Sequence, residues 1–125
     1  MQLIKMSTGQ DSYFVWDYSE KSDILNIHRK GKRVEGSAEL EDFTVDFDKN
    51  DNVVGIEVAY ASEFLSELGI EKDQLSTIKG AEIITQRRAN YVLAWIKLIT
   101  VVRKENGEEI RESRIPIPAP VTVSR

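Results

Sequence analysis

Residues 91–102 read YVLAWIKLITVV, and this stretch decides the fold class. Its apolar side chains fall on both faces of an extended chain. One face carries Tyr91, Leu93, Trp95, Ile99 and Val101, and the other carries Val92, Ala94, Ile96, Leu98 and Val102. A strand with two apolar faces is central in its sheet, and each face is covered either by the rest of the chain or by a partner chain. A homodimer is therefore one expectation for this protein.

Further strands are predicted on both sides of this central segment. Downstream, Asn106-Gly107 is a strong hairpin signal that leads into a strand at residues 109–117. Upstream, apolar and polar side chains alternate with the period of a half-buried strand. The upstream strands are predicted at residues 13–18, 23–30, 33–40, 43–48, 53–60 and 81–88. The predicted fold class is α+β, predominantly an antiparallel β meander of about seven to eight strands.

Helical spacing is confined to the middle of the chain. Residues 62–68 place apolar side chains on one helical face, with Ser62 as the predicted N-cap and Gly69 as the left-handed residue that ends the helix. Residues 71–78 repeat apolar side chains at roughly helical intervals, which predicts a second helical turn.

The chain has the size of one domain. It holds 125 residues with a net charge of −4, and no linker rich in Gly, Ser or Pro divides it. We therefore expect a single domain over residues 1–125, with a β meander at 14–62 and a helix plus hairpin strands at 63–125. Near its end, Pro116, Pro118 and Pro120 predict an edge strand or an extended tail at 115–121 that can add to another sheet.

Composition excludes several chemistries. The chain has no cysteine, which removes thiol nucleophiles, disulfides, iron–sulfur clusters and Cys-ligated zinc. Its single histidine is His28, and no residue set joins a nucleophile or base to an orienting partner. We expect a protein that is not an enzyme and uses no cofactor. The longest apolar run contains Lys97 and is well short of about 20 residues, so we expect a cytoplasmic protein without a membrane span.

A calcium-loop pattern occupies residues 46–57. Its first, third, fifth and twelfth positions are Asp46, Asp48, Asn50 and Glu57. The sixth position, where the sharp turn requires glycine, is Asp51, and the flanking segments alternate as strands rather than helices. The favoured interpretation is a solvated hairpin tip, with a divalent-ion site as the alternative.

Two further groups have a binding interpretation. Residues 28–33, HRKGKR, form a basic turn that could contact phosphates together with Arg87 and Arg88, but the pI of about 5.1 argues against nucleic-acid binding. The favoured interpretation is a charged hairpin tip. The aromatic residues of the 13–18 strand could stack on a small ring ligand, although aromatic residues in strands are more often core.

One half of the chain resembles a known family. The residues that carry the resemblance are WDYSEKSDILNI at 16–27, VDFD at 45–48, and VVGIEV at 53–58 followed by Ala61-Ser62. They resemble a small prokaryotic family of unknown function, domain of unknown function 2283, over about residues 14–62. The chain departs from the family pattern at Asp51-Asn52, where Asp-Gly is usual, and at Asn26-Ile27, where Tyr-Ile is usual.

The resemblance implies a compact β meander that leads into a helix, and it supplies no catalytic residues. Some family members look like antitoxin partners of small toxins, which implies protein binding. The leading expectation is a non-enzymatic domain that binds a protein partner, either itself or another chain. The alternatives are a small-ligand or divalent-ion binding protein, and a weak nucleic-acid binder acting through the 28–33 turn.

Overall fold

The computed structural model describes residues 6–117 and 121–122. Within these residues the chain forms two antiparallel β-sheets that pack face to face, with two short helices. The elements are β1 (Met6–Gln10), β2 (Phe14–Ser19), β3 (Ile24–Arg29), β4 (Gly36–Leu40), β5 (Phe43–Phe47), β6 (Val53–Val58), α1 (Ala61–Glu67), α2 (Lys72–Leu75), β7 (Ile78–Arg87), β8 (Tyr91–Lys104), β9 (Gly107–Pro116) and β10 (Val121–Thr122). The predicted mostly antiparallel, mostly β architecture with a short helix is confirmed, with slightly more strands than expected.

The first sheet has the strand order β1-β2-β3-β6-β5-β4. The expectation of a simple meander is wrong at one connection, because β3 pairs with β6 and not with β4. The side chains explain this order. In β6 every residue except Glu57 is buried, whereas β4 has no buried residue. The apolar strand therefore occupies the centre of the sheet and the small, polar strand becomes its edge.

The unpredicted strand is β1, which pairs with β2 along its whole length. Its sequence MSTGQ has no apolar alternation, so periodicity does not reveal it. Gly9 lies opposite Trp16, and a Cβ added at Gly9 would lie 2.5 Å from the Trp16 ring. The indole thus lies directly against a backbone that has no side chain at that point.

The second sheet is built around β8. One edge of β8 pairs with β7, and the other edge pairs with β9 over Trp95–Lys104 and with β10 at Tyr91 and Val92. Of the two alternatives predicted for 115–121, the edge strand is the one observed, because Ile115, Pro116 and Val121 all pair with β8 within the chain. The extended tail that adds to another sheet is not what these residues form. Pro118 and Pro120 lie outside the described residues.

A common core joins the two inner faces. From the second sheet it receives alternate residues of β8, and these pack against the aromatic and aliphatic side chains of β2, β3, β5 and β6. The core residues of β8 are Val92, Ala94, Ile96 and Leu98. Leu65, Ile70 and Leu75 extend the core under the helices, where Phe64 also meets Phe43 edge to face at 5.1 Å.

The helices differ from the prediction at their starts. The N-cap of α1 is Tyr60, in the left-handed region at φ 52°, so the expectation that Ser62 is the N-cap is wrong. Gly69 has φ 82° and ends this helical segment as predicted. The second helix is shorter than 71–78 and begins with a reciprocal capping pair, in which Glu71 and Gln74 bond each other's backbone N–H. No helix among the described residues has the length and apolar character needed to cross a membrane.

Candidate functional site

The side of the second sheet that faces away from the core carries a row of half-buried apolar side chains from β8. We call it the outer face. In register across the three strands, Trp95 lies between Ile84 of β7 and Pro116 of β9, and Lys97 lies between Glu82 and Arg114. The residues of the outer face are Gly80, Glu82, Ile84, Gln86, Tyr91, Leu93, Trp95, Lys97, Ile99, Glu112, Arg114 and Pro116.

Burial separates the two faces of β8. On the inner side Ile96 and Leu98 are fully buried, whereas Leu93, Trp95 and Ile99 on the outer face are only half-buried. These outer side chains contact neighbours in their own sheet and do not belong to the core cluster, nor to the partly buried residues packed against it. The sequence left open whether each face of β8 is covered by the rest of the chain or by a partner chain. The inner face is covered by the chain's own core, whereas no core residue covers the outer face.

Trp95 lies at the margin of an open depression in the outer face. The depression has a volume of about 470 Å³ and is lined by Ile84, Thr85, Gln86, Trp95, Arg114 and Pro116. Its aromatic, aliphatic and guanidinium groups resemble the composition that dominates the energetics of protein interfaces.

A four-residue ion cluster neutralises the centre of the outer face. Arg114 Nε lies 3.5 Å from a carboxylate oxygen of Glu112. Lys97 Nζ lies 3.4 Å from a carboxylate oxygen of Glu82 and 3.4 Å from one of Glu112. The hydrogen bond and charge of Glu112, followed by those of Glu82, raise the pKa of Lys97 above its usual range. Because both neighbouring strands supply a counter-charge, the one cation of β8 in this face is already paired.

The predicted cation-site residues lie at and beside the β5–β6 turn. The Asp48 carboxylate accepts hydrogen bonds from the N–H groups of Asn50 and Asn52 and from the Asn52 amide, and Asp46 accepts one from the Ser37 hydroxyl at 2.6 Å. Glu57 lies in β6 opposite Thr44. Among the described residues, no three His, Cys, Asp or Glu side chains gather where they could hold a metal ion.

The pKa of Asp48 fits this role in the turn. The backbone hydrogen bond from Asn52 is the largest cause that lowers it, opposed by burial and reinforced by the Asn52 amide, the Asn50 N–H and the positive charge of Lys32. The carboxylate thus holds its own loop together, as the hairpin-tip interpretation expects.

The other singled-out side chains divide between core and surface. Phe14, Trp16 and Tyr18 are buried, whereas Tyr13 is 69% exposed. His28 is half-buried on the first sheet, where its Cδ2 would lie 3.2 Å from a Cβ added at Gly55. The three buried rings are unavailable for stacking on a ligand.

Sequence reasoning missed a polar cluster around Asp23. Its carboxylate accepts hydrogen bonds from the Tyr18 hydroxyl at 2.7 Å, the Ser62 N–H at 2.9 Å and the Ser62 hydroxyl at 2.8 Å. The Asp23 carbonyl also accepts the Ala61 N–H. Asp23 therefore caps α1 from a turn 39 residues earlier in the chain, in place of the Tyr60 side chain, which makes no capping bond.

The ionisation of this cluster follows from its geometry. Burial raises the pKa of Asp23, but the hydrogen bonds from Tyr18 and Ser62, aided by the charge of Lys72, outweigh it and hold the pKa below its usual range. Burial, together with the hydrogen bond and charge of Asp23, raises the pKa of Tyr18 far above its usual value. At neutral pH the pair is a tyrosine hydroxyl donating to a carboxylate.

Comparison with known proteins places the chain in a family. The family described as a protein of unknown function, DUF2283, matches residues 16–62. An uncharacterized protein of Methanocaldococcus jannaschii is 32% identical over 98 residues, which cover 78% of this chain and 80% of the relative. The chain belongs to this family. No solved structure matches it.

The matched segment corresponds to a definite part of the fold. It begins at Trp16, which is buried in β2, and ends at Ser62, which bonds to Asp23. It therefore includes both partners of the cap and the strands β3 to β6, while the whole second sheet lies outside it. Neither the family description nor the name of the relative assigns an activity.

Proposed function

We propose that this protein is a non-enzymatic binding domain that associates with a second copy of itself through the outer face. The observation that carries the proposal is the half-buried apolar row of Tyr91, Leu93, Trp95 and Ile99, which no core residue covers. Apolar side chains that remain partly accessible on one sheet face, beside paired polar groups, are typical of protein contact sites.

A second copy is the partner that the charges favour. The outer face carries two carboxylates and two cations, Glu82, Glu112, Lys97 and Arg114, so it is neutral within a chain of net charge −4. Two copies that meet face to face thus bring no net charge into contact. A two-fold axis through β8 makes one patch contact its own equivalent, which is the commonest arrangement in homodimers.

The dimensions of the face predict a weak dimer. Three strands about 4.8 Å apart and a rise of about 3.3 Å per residue over Tyr91–Ile99 give a face of roughly 30 Å by 14 Å. Its flat area of roughly 400 Å² is below the area of about 800 Å² that each partner buries in a standard interface. We therefore expect dissociation in the micromolar range, so that the oligomeric state depends on concentration.

Size-exclusion chromatography with light scattering tests the proposal over a range of concentrations. We expect the mass to rise from one chain to two, and Leu93→Lys to weaken the dimer about a hundredfold because it buries a new charge at the contact. Val15→Lys is the matched control, since Val15 is 39% exposed and lies on β2 of the other sheet. A protein that stays monomeric at high micromolar concentration contradicts the proposal, as does an equal effect of the two substitutions.

Trp95 supplies an optical measurement of the same contact. Trp16 is 4% exposed, so a Trp16→Phe variant leaves Trp95 as the single indole at the candidate interface. Its emission should shift to shorter wavelength as the protein is concentrated, because dimerisation removes water from the ring. An emission maximum that does not change while the mass doubles would place the contact elsewhere on the molecule.

An antitoxin-like role would require contact with a different protein. We propose that such a contact would also use the outer face. A toxin-like neighbouring gene, followed by loss of binding of its purified product to the Leu93→Lys variant, would support that role. Binding that is unaffected by Leu93→Lys would exclude this face as the site.

A further inference from the structure

Unpaired positive charge gathers at one end of the two-sheet structure. Backbone contacts bring the turns there together: Lys30 donates to the Tyr13 carbonyl at 2.8 Å, and Glu35 donates to the Phe47 carbonyl at 2.7 Å. Across the two sheets, Arg87 Nη1 lies 3.3 Å from the Asp51 carbonyl. We call this region the basic end and define it by Arg29, Lys30, Lys32, Lys49, Arg87 and Arg88.

These cations differ from most others in the described chain because they lack ion-pair partners. Within residues 6–117, eight lysine and arginine side chains form no ion pair with a carboxylate, and six of them are the basic end. The other two are Lys21 and Lys79. An anion that binds the basic end therefore breaks no existing ion pair.

Most of the carboxylates nearby are occupied locally, and the exception is Asp51 in the β5–β6 turn. Asp11 accepts the N–H groups of Tyr13 and Phe14, and Asp48 accepts those of its own turn. Glu35 pairs with Arg33 at 3.3 Å. Asp48 also experiences the positive charge of Lys32. Among the described residues, however, no carboxylate lies within ion-pair distance of a cation of the basic end.

An exposed aromatic ring lies among these cations. Tyr13 is 69% exposed and is joined to Lys30 by a backbone hydrogen bond. The guanidinium of Arg29 lies 5.9 Å from the ring centre of Phe14, its partner across β2 and β3, so it is held at this end of the two strands. Cations beside an accessible ring are the arrangement by which proteins hold phosphates while a base stacks on the aromatic side chain.

We propose that the basic end binds single-stranded nucleic acid, with the cations on the phosphates and Tyr13 stacked on a base. The overall negative charge of the chain argues against nucleic-acid binding at the level of composition. Because acidic residues dominate outside the basic end, we expect the protein to contact only a few nucleotides. The site shares no residue with the outer face. It can therefore be tested by substitutions that leave every residue of the outer face in place.

Fluorescence anisotropy with a labelled oligothymidylate tests this proposal on the full chain. We expect saturable binding in low salt, and a plot of log K against log salt with a slope of about −3 if four phosphates are neutralised. Two double variants remove cations of the basic end: Lys30→Glu/Lys32→Glu and Arg87→Glu/Arg88→Glu. Each should weaken binding by about tenfold or more, because each loses two phosphate contacts. The matched control is Lys21→Glu/Lys79→Glu, which makes the same charge change at the unpaired cations outside the basic end.

The Tyr13→Ala variant separates stacking from charge. It should lower the affinity by a factor of about five or more while the salt slope stays the same, because no cation is removed. All the substituted side chains are exposed, and circular dichroism checks that each variant is folded.

Four results would overturn the proposal. They are an absence of saturable binding in low salt, a loss in the Lys21→Glu/Lys79→Glu control as large as at the basic end, an unchanged affinity in Tyr13→Ala, and equal competition by polyglutamate at the same charge concentration. The last result would assign the basic end to acidic protein segments. None of these measurements depends on whether the outer face forms a dimer.

Discussion

Asp23 shows how a single side chain connects distant parts of this molecule. It lies in the β2–β3 turn with φ 55°, a left-handed conformation that Asp tolerates better than most residues. From there its carboxylate reaches Tyr18 in the same hairpin and Ser62 at the start of α1. A residue that the sequence predicts only as the start of the 23–30 strand thus caps the helix that packs on the first sheet.

Replacing Asp23 tests this connection. Asp23→Ala should lower the free energy of unfolding by about 2–4 kcal/mol, because it removes the helix cap and leaves the buried Tyr18 hydroxyl without its acceptor. Asp23→Asn should cost less, since Asn tolerates the left-handed conformation and keeps one acceptor oxygen. Urea unfolding measures both, with Asp42→Ala in the exposed β4–β5 turn as the control. A loss for Asp23→Ala as small as that for Asp42→Ala would show that the cap contributes nothing.

The same cluster predicts how stability changes with pH. The folded-state pKa of Asp23 is lowered, so its contribution is present above the unfolded value of about 3.9 and is lost as the pH falls through the folded value. The folded-state pKa of Tyr18 is raised, so its contribution is present below about pH 10 and is lost as the pH rises through the folded value.

Urea unfolding across a pH series should therefore show a plateau between these limits. Asp23→Asn should flatten the acid limb, because the titrating carboxylate is gone, and leave much of the alkaline limb, because the Tyr18 ring is still buried. A wild-type acid limb that survives unchanged in Asp23→Asn would assign acid sensitivity to other carboxylates.

At the scale of elements, β8 organises the second sheet because it has hydrogen-bonded partners on both edges over most of its length. Its inner residues close the core, and its outer residues remain half-buried within the three-strand surface. Lys97 interrupts that apolar row, but Glu82 and Glu112 come from the two flanking strands and neutralise it. Because β7 and β9 flank β8, their glutamates lie within ion-pair distance of Lys97.

Lys97→Met tests what this pairing does. Partly exposed ion pairs contribute only about 0–1 kcal/mol, so the free energy of unfolding of the monomer should change little. Self-association should weaken about tenfold, because the substitution leaves Glu82 unpaired and removes one of the two partners of Glu112 on each copy at the proposed contact. Sedimentation or light scattering measures the dimer, and urea unfolding at low concentration measures the monomer. Tighter association of Lys97→Met would show that Lys97 opposes the contact and that the surrounding carboxylates lie outside it.

At the scale of the whole molecule, charge is distributed differently from what the linear sequence suggests. The chain is acidic overall, and its basic residues come from several separate segments. Folding brings the turns after β3, β5 and β7 to one end of the structure, and this places most of the unpaired cations together. The helices lie with the turns of the opposite end, where Lys72 is paired with Glu20 at 3.7 Å.

This arrangement leaves the molecule with two distinct candidate surfaces. The outer face is apolar and neutral and lies on the second sheet, whereas the basic end is formed by turns of both sheets. The two surfaces share no residue, although Gln86 of the outer face adjoins Arg87 of the basic end in β7.

The sequence by itself determined the strands with clear alternation, the hairpin at Asn106-Gly107, the short helix and the two apolar faces of β8. These features depend on local side-chain periodicity and turn chemistry, which the chain displays directly. Tertiary structure decided the pairing of β3 with β6, the strand β1, the Asp23 cap and the assembly of the basic end. Each of these features depends on which segments lie side by side. The most apolar strands are buried at the centre of the sheets, so the position of each strand depends on all the other strands. The local sequence pattern of one strand does not contain that information.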